Sequence, residues 1–390
     1  MIQPVRSYDE AIKYHVLRGH SFVNLRLNLN QTFRFGTYYS HYFYSIFSQG
    51  LNIQNNTFGT FSDETGNTGL VQLYGQHKVK LTQKFDLVSG LHSSLFVLNK
   101  NMNIEPRLGL TYQVNLRQSL SLGLGLHSRL EPVSIYLSRV YTNSTDYSQP
   151  NRGLNLSKSL HQVVGYELAI TPRIRCKSEV YFQYLFQVPV DTNTIIPTSM
   201  LNANTGLFQN TWVNDGNGRN YGVELTLERN LFKGLYFMFT SSLFQSQFKL
   251  PQTNWLNTRF NANYMFNALG GYEYTFGKKT KKIFGINSRI IWRGGNRYTP
   301  INLALSQASG IEVYDAQIPY QSQLPDYLRI DLSALMRFNY SQWSLVFSTE
   351  IQNVTNRSNI NRYYFDPYSQ EIRTAYMFGI MPVFNCKIEF

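Results

Sequence analysis

Charge is what this chain has least of. Only 15% of its residues are Asp, Glu, Lys or Arg, against roughly 25% in an ordinary soluble domain. Together with 28 Tyr and 27 Phe, that excludes a disordered tail, which needs high charge and few aromatics. Long apolar runs are missing too. No stretch of about 18 apolar residues occurs, so no transmembrane helix is expected. Cysteine is nearly absent: Cys176 and Cys386 stand far apart, without the close pairing of a metal site. A disulfide between them stays open, and nothing in the sequence calls for it. The first twenty residues have neither the apolar stretch nor the small-residue cleavage site of a secretory signal.

Chemistry motifs are equally sparse. The seven histidines show no metal-ligand spacing. No nucleophile-elbow serine, zinc-protease helix or phosphate-binding loop is found. No catalytic, metal-binding or cofactor-binding residue is therefore expected, and an enzyme is not expected. The net charge of +13 raises nucleic acid as a partner. The one dense basic run, Lys278-Lys279-Thr280-Lys281-Lys282, lies in an expected turn and carries no recognition motif. Nucleic acid is set aside on that ground.

What is there is alternation. In Ser119 to Leu130, Leu120, Leu122, Leu124 and Leu126 alternate with Ser121, Gly123, Gly125 and His127. The same period of two runs through Tyr221, Val223, Leu225 and Leu227, and through Leu328, Ile330, Leu332 and Ala334. Such strands have one apolar and one wet face. They run to about a dozen residues, longer than the usual five or six and long enough to cross a bilayer at a tilt. About fifteen are expected, near 21–29, 33–46, 68–81, 85–97, 104–116, 119–131, 158–170, 174–187, 220–229, 235–248, 259–276, 283–294, 326–338, 343–353 and 375–390.

Short and long connections alternate between them. The long ones are expected near 48–67, 131–157, 188–219, 249–258, 295–325 and 353–374, with a brief one at 100–103. Tight turns on one side and long loops on the other are how outer-membrane barrels read. The fold class is all-β: a transmembrane antiparallel up-and-down β-barrel. Outer-membrane lipid and lipopolysaccharide are the expected neighbours, the latter matching the basic charge. Glu179, Glu224, Glu228, Asp331 and Glu350 can pair in a polar lumen with Arg175, Arg219, Arg329 and Arg337. On the last strand Phe384, Cys386, Ile388 and Phe390 share one face. An exposed edge strand ending in an aromatic is a template for pairing, and these four are read as the signal for the barrel-assembly machinery.

Several segments together resemble TonB-dependent outer-membrane receptors. They are NGRNYGVELTLERN at 217–230, EPRLGL at 105–110, SKSLHQVVGY at 157–166 and EVYFQYLFQVPV at 179–190. Later come GGNRYTP at 294–300, LPDYLRIDL at 324–332, IQNVTNR at 351–357 and the terminal strand 379–390. The resemblance is to Bacteroidetes-type members with a carboxypeptidase-regulatory-like domain. It implies a plug inside a 22-strand barrel and import of a scarce nutrient driven by an inner-membrane complex. On that reading residues 1–390 are the C-terminal part of the barrel, with 1–19 an outer-loop remnant, 20–390 strands and loops, and the plug absent. Contact with the TonB-type energy-coupling complex would then run only through the missing plug, and transport by this chain alone is not expected. A surface lipoprotein partner is compatible with the family. No ligand-binding residue is carried over. The competing readings are a complete porin-like channel of about sixteen strands and an outer-membrane hydrolase, for which no catalytic constellation is visible.

Overall fold

The computed structural model describes residues 8–52, 57–141, 146–191, 196–203, 211–277 and 281–390. Fifteen long strands dominate them: β1 Tyr8–Asn28, β2 Gln31–Asn52, β3 Thr57–Lys80, β4 Phe85–Phe96, β5 Asn101–Asn115, β6 Gln118–Arg129, β7 Ser157–Thr171 and β8 Ile174–Asp191. They continue as β9 Val213–Phe232, β10 Leu235–Lys249, β11 Tyr264–Phe276, β12 Lys282–Arg293, β13 Tyr327–Asn339, β14 Ser344–Gln352 and β15 Met381–Glu389. Each pairs antiparallel with the next, so the sheet runs up and down in chain order. Two short strands, Thr198–Ser199 and Leu256–Asn257, add to its margin at β8 and β10.

Alternation sets the two faces. Along β5, Met102, Ile104 and Leu108 are exposed, while Asn103 and Glu105 between them are buried. A water-soluble sheet would do the opposite. Apolar side chains turned outward along strand after strand suit a hydrocarbon surround. The inner face carries the polar lattice that the sequence suggests, with some partners changed. Arg175 reaches Glu228 at 2.8 Å and Glu167 at 3.3 Å. Arg329 grips Asp331 at 2.7 Å. Arg337 instead takes Glu389, and Glu179 takes Lys177. Arg219 donates to Gln247 at 2.8 Å and lies 4.3 Å from the Trp255 ring centroid.

Several expected boundaries move. Residues 188–191 and 213–219, read as loop, extend β8 and β9, which pair at Val190↔Val213. Residues 8–19, read as a loop remnant, are strand, because β1 pairs with β2 in register from Tyr8↔Gly50 to Ser21↔Thr37; residues 1–7 lie outside the described residues. The segment 48–67 is polar enough to read as loop, yet β2 and β3 keep pairing through it past one irregularity at Ser48/Gln49. Backbone pairing holds that extension, with Ser48 and Ser62 buried opposite each other. Residues 259–263 leave β11, which begins at Tyr264, and 375–380 leave β15, which begins at Met381; 375–376 instead join a hairpin within the expected loop, Ile360–Asp366 with Glu371–Tyr376. Cys176 and Cys386 are both free.

Among the described residues β1 pairs only with β2, and β15 only with β14. The sheet therefore has two free edges. The densest apolar packing is not in the sheet but at its long-connection end. There residues 130–141 and 146–156 fold across the inner face. Helix α1, Val133–Tyr136, is buried whole. Ile135 and Tyr136 pack with Phe96, Leu154, Leu156 and Trp212. Val133 and Leu137 pack on Ile46. Ser134 N–H donates to the Tyr14 hydroxyl of β1 at 3.1 Å, and Arg139 pairs with Glu64 of β3 at 2.9 Å. This cap covers the mouth above β1–β6.

Candidate solute site at the mouth

On the other side of the mouth the connections are braced from below. Asn261 is fully buried. Its amide donates to Gln245 Oε1 at 2.9 Å and Asn257 Oδ1 at 2.8 Å, and its Oδ1 accepts from Ser246 N–H at 3.0 Å. That fixes connection 250–263 onto β10. Arg297 then ties three segments, donating to Asn261 O, Gln321 O and Asn263 Oδ1. Next to it the backbone runs so close that only glycine fits. A Cβ on Gly295 would lie 1.8 Å from Leu324 O, and one on Gly294 2.0 Å from Ala262 O.

A second brace sits under connection 353–380. The Asp331 carboxylate, 4% exposed, accepts from Arg329 and from Asn353 N–H at 2.9 Å. Asn353 adopts φ 52° and its side chain holds Arg357 from both sides, accepting from its N–H and donating to its carbonyl. Asn359 exchanges two hydrogen bonds with the Leu328 backbone. The segments GGNRYTP, LPDYLRIDL and IQNVTNR are thus scaffolding for the mouth.

Between these braces lies a cavity of about 470 Å³, within the usual range for small-molecule sites. Arg259, Arg297 and Arg362 line it together with Tyr298, Tyr314, Tyr320 and Tyr363, and among the described residues its lining holds no acid. Glu312, two residues from Tyr314, is engaged by the Tyr314 hydroxyl and the Phe365 N–H. Tyr298 and Tyr363 set their rings 5.4 Å apart. Burial and the Glu312 hydrogen bond push the Tyr314 hydroxyl up to about 12, so it stays a neutral donor. Burial alone lowers the pKa of Arg297. Guanidinium and phenol donors beside aromatic faces can hold a solute that is anionic and flat or ringed.

A larger cavity, about 590 Å³, lies on the inner wall by β2–β5. Its cations are already used. Arg34 donates to Asn24 and stacks over Phe22, while Arg107 and His92 both hold Glu105. No group of three or more His, Cys, Asp or Glu side chains able to hold a metal occurs among the described residues.

Sequence reasoning gave no ligand residues, and the mouth cavity shows why. Its lining comes from four separate connections, so no local motif marks it. Of the expected assembly-signal residues, Phe384, Cys386 and Ile388 lie at alternate positions of β15 and Phe390 just beyond it, on an edge strand exposed from Met381 to Ile388.

No protein-family model matches the chain, and no curated protein matches it in sequence. Solved structures do. The ferric enterobactin receptor PfeA of Pseudomonas aeruginosa superposes with TM-score 0.60 at 14% identity, covering 97% of this chain and 54% of that one. The FrpB iron transporter from Neisseria meningitidis gives 0.60 at 15%, covering 98% and 55%. The ferric yersiniabactin uptake receptor FyuA from Yersinia pestis gives 0.63 at 13%, covering 99% and 56%. The chain spans about half the length of these structures. At such identity the likeness shows the fold, and that fold is the large up-and-down antiparallel β-sheet of TonB-dependent receptor barrels.

Proposed function

We propose that this chain is the wall and mouth of an outer-membrane receptor for nutrient uptake, and that solute binds in the cavity lined by Arg259, Arg297 and Arg362. The mouth cavity carries the reading: three guanidiniums, four phenols and, among the described residues, no carboxylate in its lining. We further read the fifteen strands as the C-terminal part of a 22-strand barrel whose remaining strands and plug complete it. Strand parity supports this. With fifteen alternating strands, β1 and β15 run in the same direction, so joining them directly would make a parallel seam. An antiparallel barrel needs an even number. The same argument weighs against a complete porin. Contact with the energy-coupling complex would pass through the plug, so the chain alone binds solute without carrying it across. Lipopolysaccharide, the assembly machinery acting on Phe384 to Phe390, and a surface lipoprotein belong to the same proposal.

The test is a binding titration on the refolded full chain, using a ferric tricatecholate anion and a neutral maltodextrin. The anion should bind, and Arg259→Ala with Arg362→Ala should weaken it by about tenfold or more, the scale of lost charged hydrogen bonds. No binding of either solute, or equal binding by the variant, would contradict the mouth as the site.

A further inference from the structure

The opposite rim of the sheet has a composition of its own. Seven tight turns close it, at 29–30, 81–84, 116–117, 172–173, 233–234, 277–281 and 340–343. None contains Asp or Glu. Five contain Lys or Arg: Lys84, Arg117, Arg173, Lys233 and the run 278–282, of which 278–280 lie outside the described residues. The long connections, by contrast, hold acids such as Glu131, Glu312, Asp315 and Asp366.

These turn cations are not spoken for. Among the described residues the rim's ion pairs join strand groups: Arg175 with Glu167 and Glu228, and Arg337 and Lys387 with Glu389. No ion pair joins Lys84, Arg117, Arg173 or Lys233 to a carboxylate. Arg173 instead lies 3.2 Å from the Phe232 ring centroid, and Lys233 5.7 Å from the same ring. Interleaved with the cations are apolar tips. Leu116 is 100% exposed and Leu29 82%, and Tyr340 stacks on Trp343 at 4.3 Å.

We infer that the short-turn rim is a docking surface for the phosphate layer of an anionic phospholipid leaflet. Leucine and indole tips enter the boundary between headgroup and acyl chain, and the neighbouring cations meet phosphate. Each Lys or Arg close to an anionic bilayer surface adds attraction that fades within a Debye length. A ring of cations without carboxylates in the same turns sums that attraction. A protein partner would need a continuous patch on one side. These cations recur from the turn after β3 to the turn before β12 instead of clustering in one, as contact with a bilayer along the rim requires. The inference rests on the reading that the sheet spans a membrane.

Trp343 provides the readout, because it sits in a rim turn beside the 277–281 turn, where Asn339 Nδ2 donates to Lys281 O at 2.6 Å. Trp212, Trp255 and Trp292 belong to the long-connection end. The full chain is refolded into phosphatidylcholine vesicles holding a minority of phosphatidylglycerol, with either lipid brominated. Subtracting a Trp343→Phe control isolates the rim signal. Quenching should show about threefold or greater enrichment of phosphatidylglycerol at Trp343, reduced by salt and by joint Lys281→Gln and Lys282→Gln substitution. Equal quenching by the two lipids, or enrichment unchanged in the variant, overturns the inference alone. Failure of the chain to insert, read from the loss of heat-dependent gel mobility, overturns the membrane reading together with it.

Discussion

At the scale of single residues, the chain's rarest feature, charge, is concentrated where it is braced. Arg329 and Asp331 are two apart on one strand and so share its inner face. Their pairing was legible in the sequence from that spacing. What was not legible is the third partner, Asn353 N–H, which arrives from the next strand pair. Gly294 and Gly295 illustrate the same limit. The sequence shows two glycines, and only the fold shows the carbonyls of Ala262 and Leu324 pressed against them. Gly295→Ala should therefore disorder the mouth, at a cost of about 1–3 kcal/mol from overpacking. The sheet itself should keep its strand content by circular dichroism while solute binding falls. Unchanged binding would show that the close approach is not required.

At the scale of elements, all fifteen long strands were readable, because outward apolar and inward polar residues alternate throughout. Their ends were not. β2 and β3 continue through Ser, Thr, Asn and Gly residues whose composition favours loop, and the pairing of each extension depends on its partner. The cap 130–156 was read as plain loop, since its apolar residues Val133, Ile135, Tyr136 and Leu137 have no strand period. The cap also holds a testable acid. Glu131 is 5% exposed and accepts from Ser157 Oγ at 2.6 Å. Burial raises its pKa above the ordinary carboxylate range, despite that hydrogen bond and Arg129. The folded state then favours the protonated form, so its stabilising contribution is present at low pH and lost as pH rises through the raised pKa. Glu131→Gln keeps the acceptor and removes the charge. Amides of 133–153 should exchange several-fold more slowly in this variant at neutral pH, and the difference should vanish near pH 4. A variant that exchanges faster at neutral pH would show the ionised form to be the favoured one.

At the scale of the whole molecule, two ends and two edges define what the sheet can do. One end is a mouth, with a small apolar core over one side and an arginine-lined cavity on the other. The other is a rim of tight basic turns. The basic excess that first raised nucleic acid falls partly on the cavity at the mouth and partly on the short turns of the rim. The edges, β1 and β15, carry the central claim that these strands are part of a larger wall. Cross-linking across the would-be seam tests it most directly. Cys386 faces outward on β15, and Leu17, Val23, Leu25 and Leu27 lie exposed along β1. With Cys176→Ser in place, each of these four is replaced by cysteine in turn, and Phe347→Cys, directly opposite Cys386 in register, is the positive control. After refolding in bilayers and mild oxidation, the account predicts a disulfide only in the control. An intramolecular disulfide between Cys386 and any of the β1 positions would contradict it, because the fifteen strands would then close on themselves.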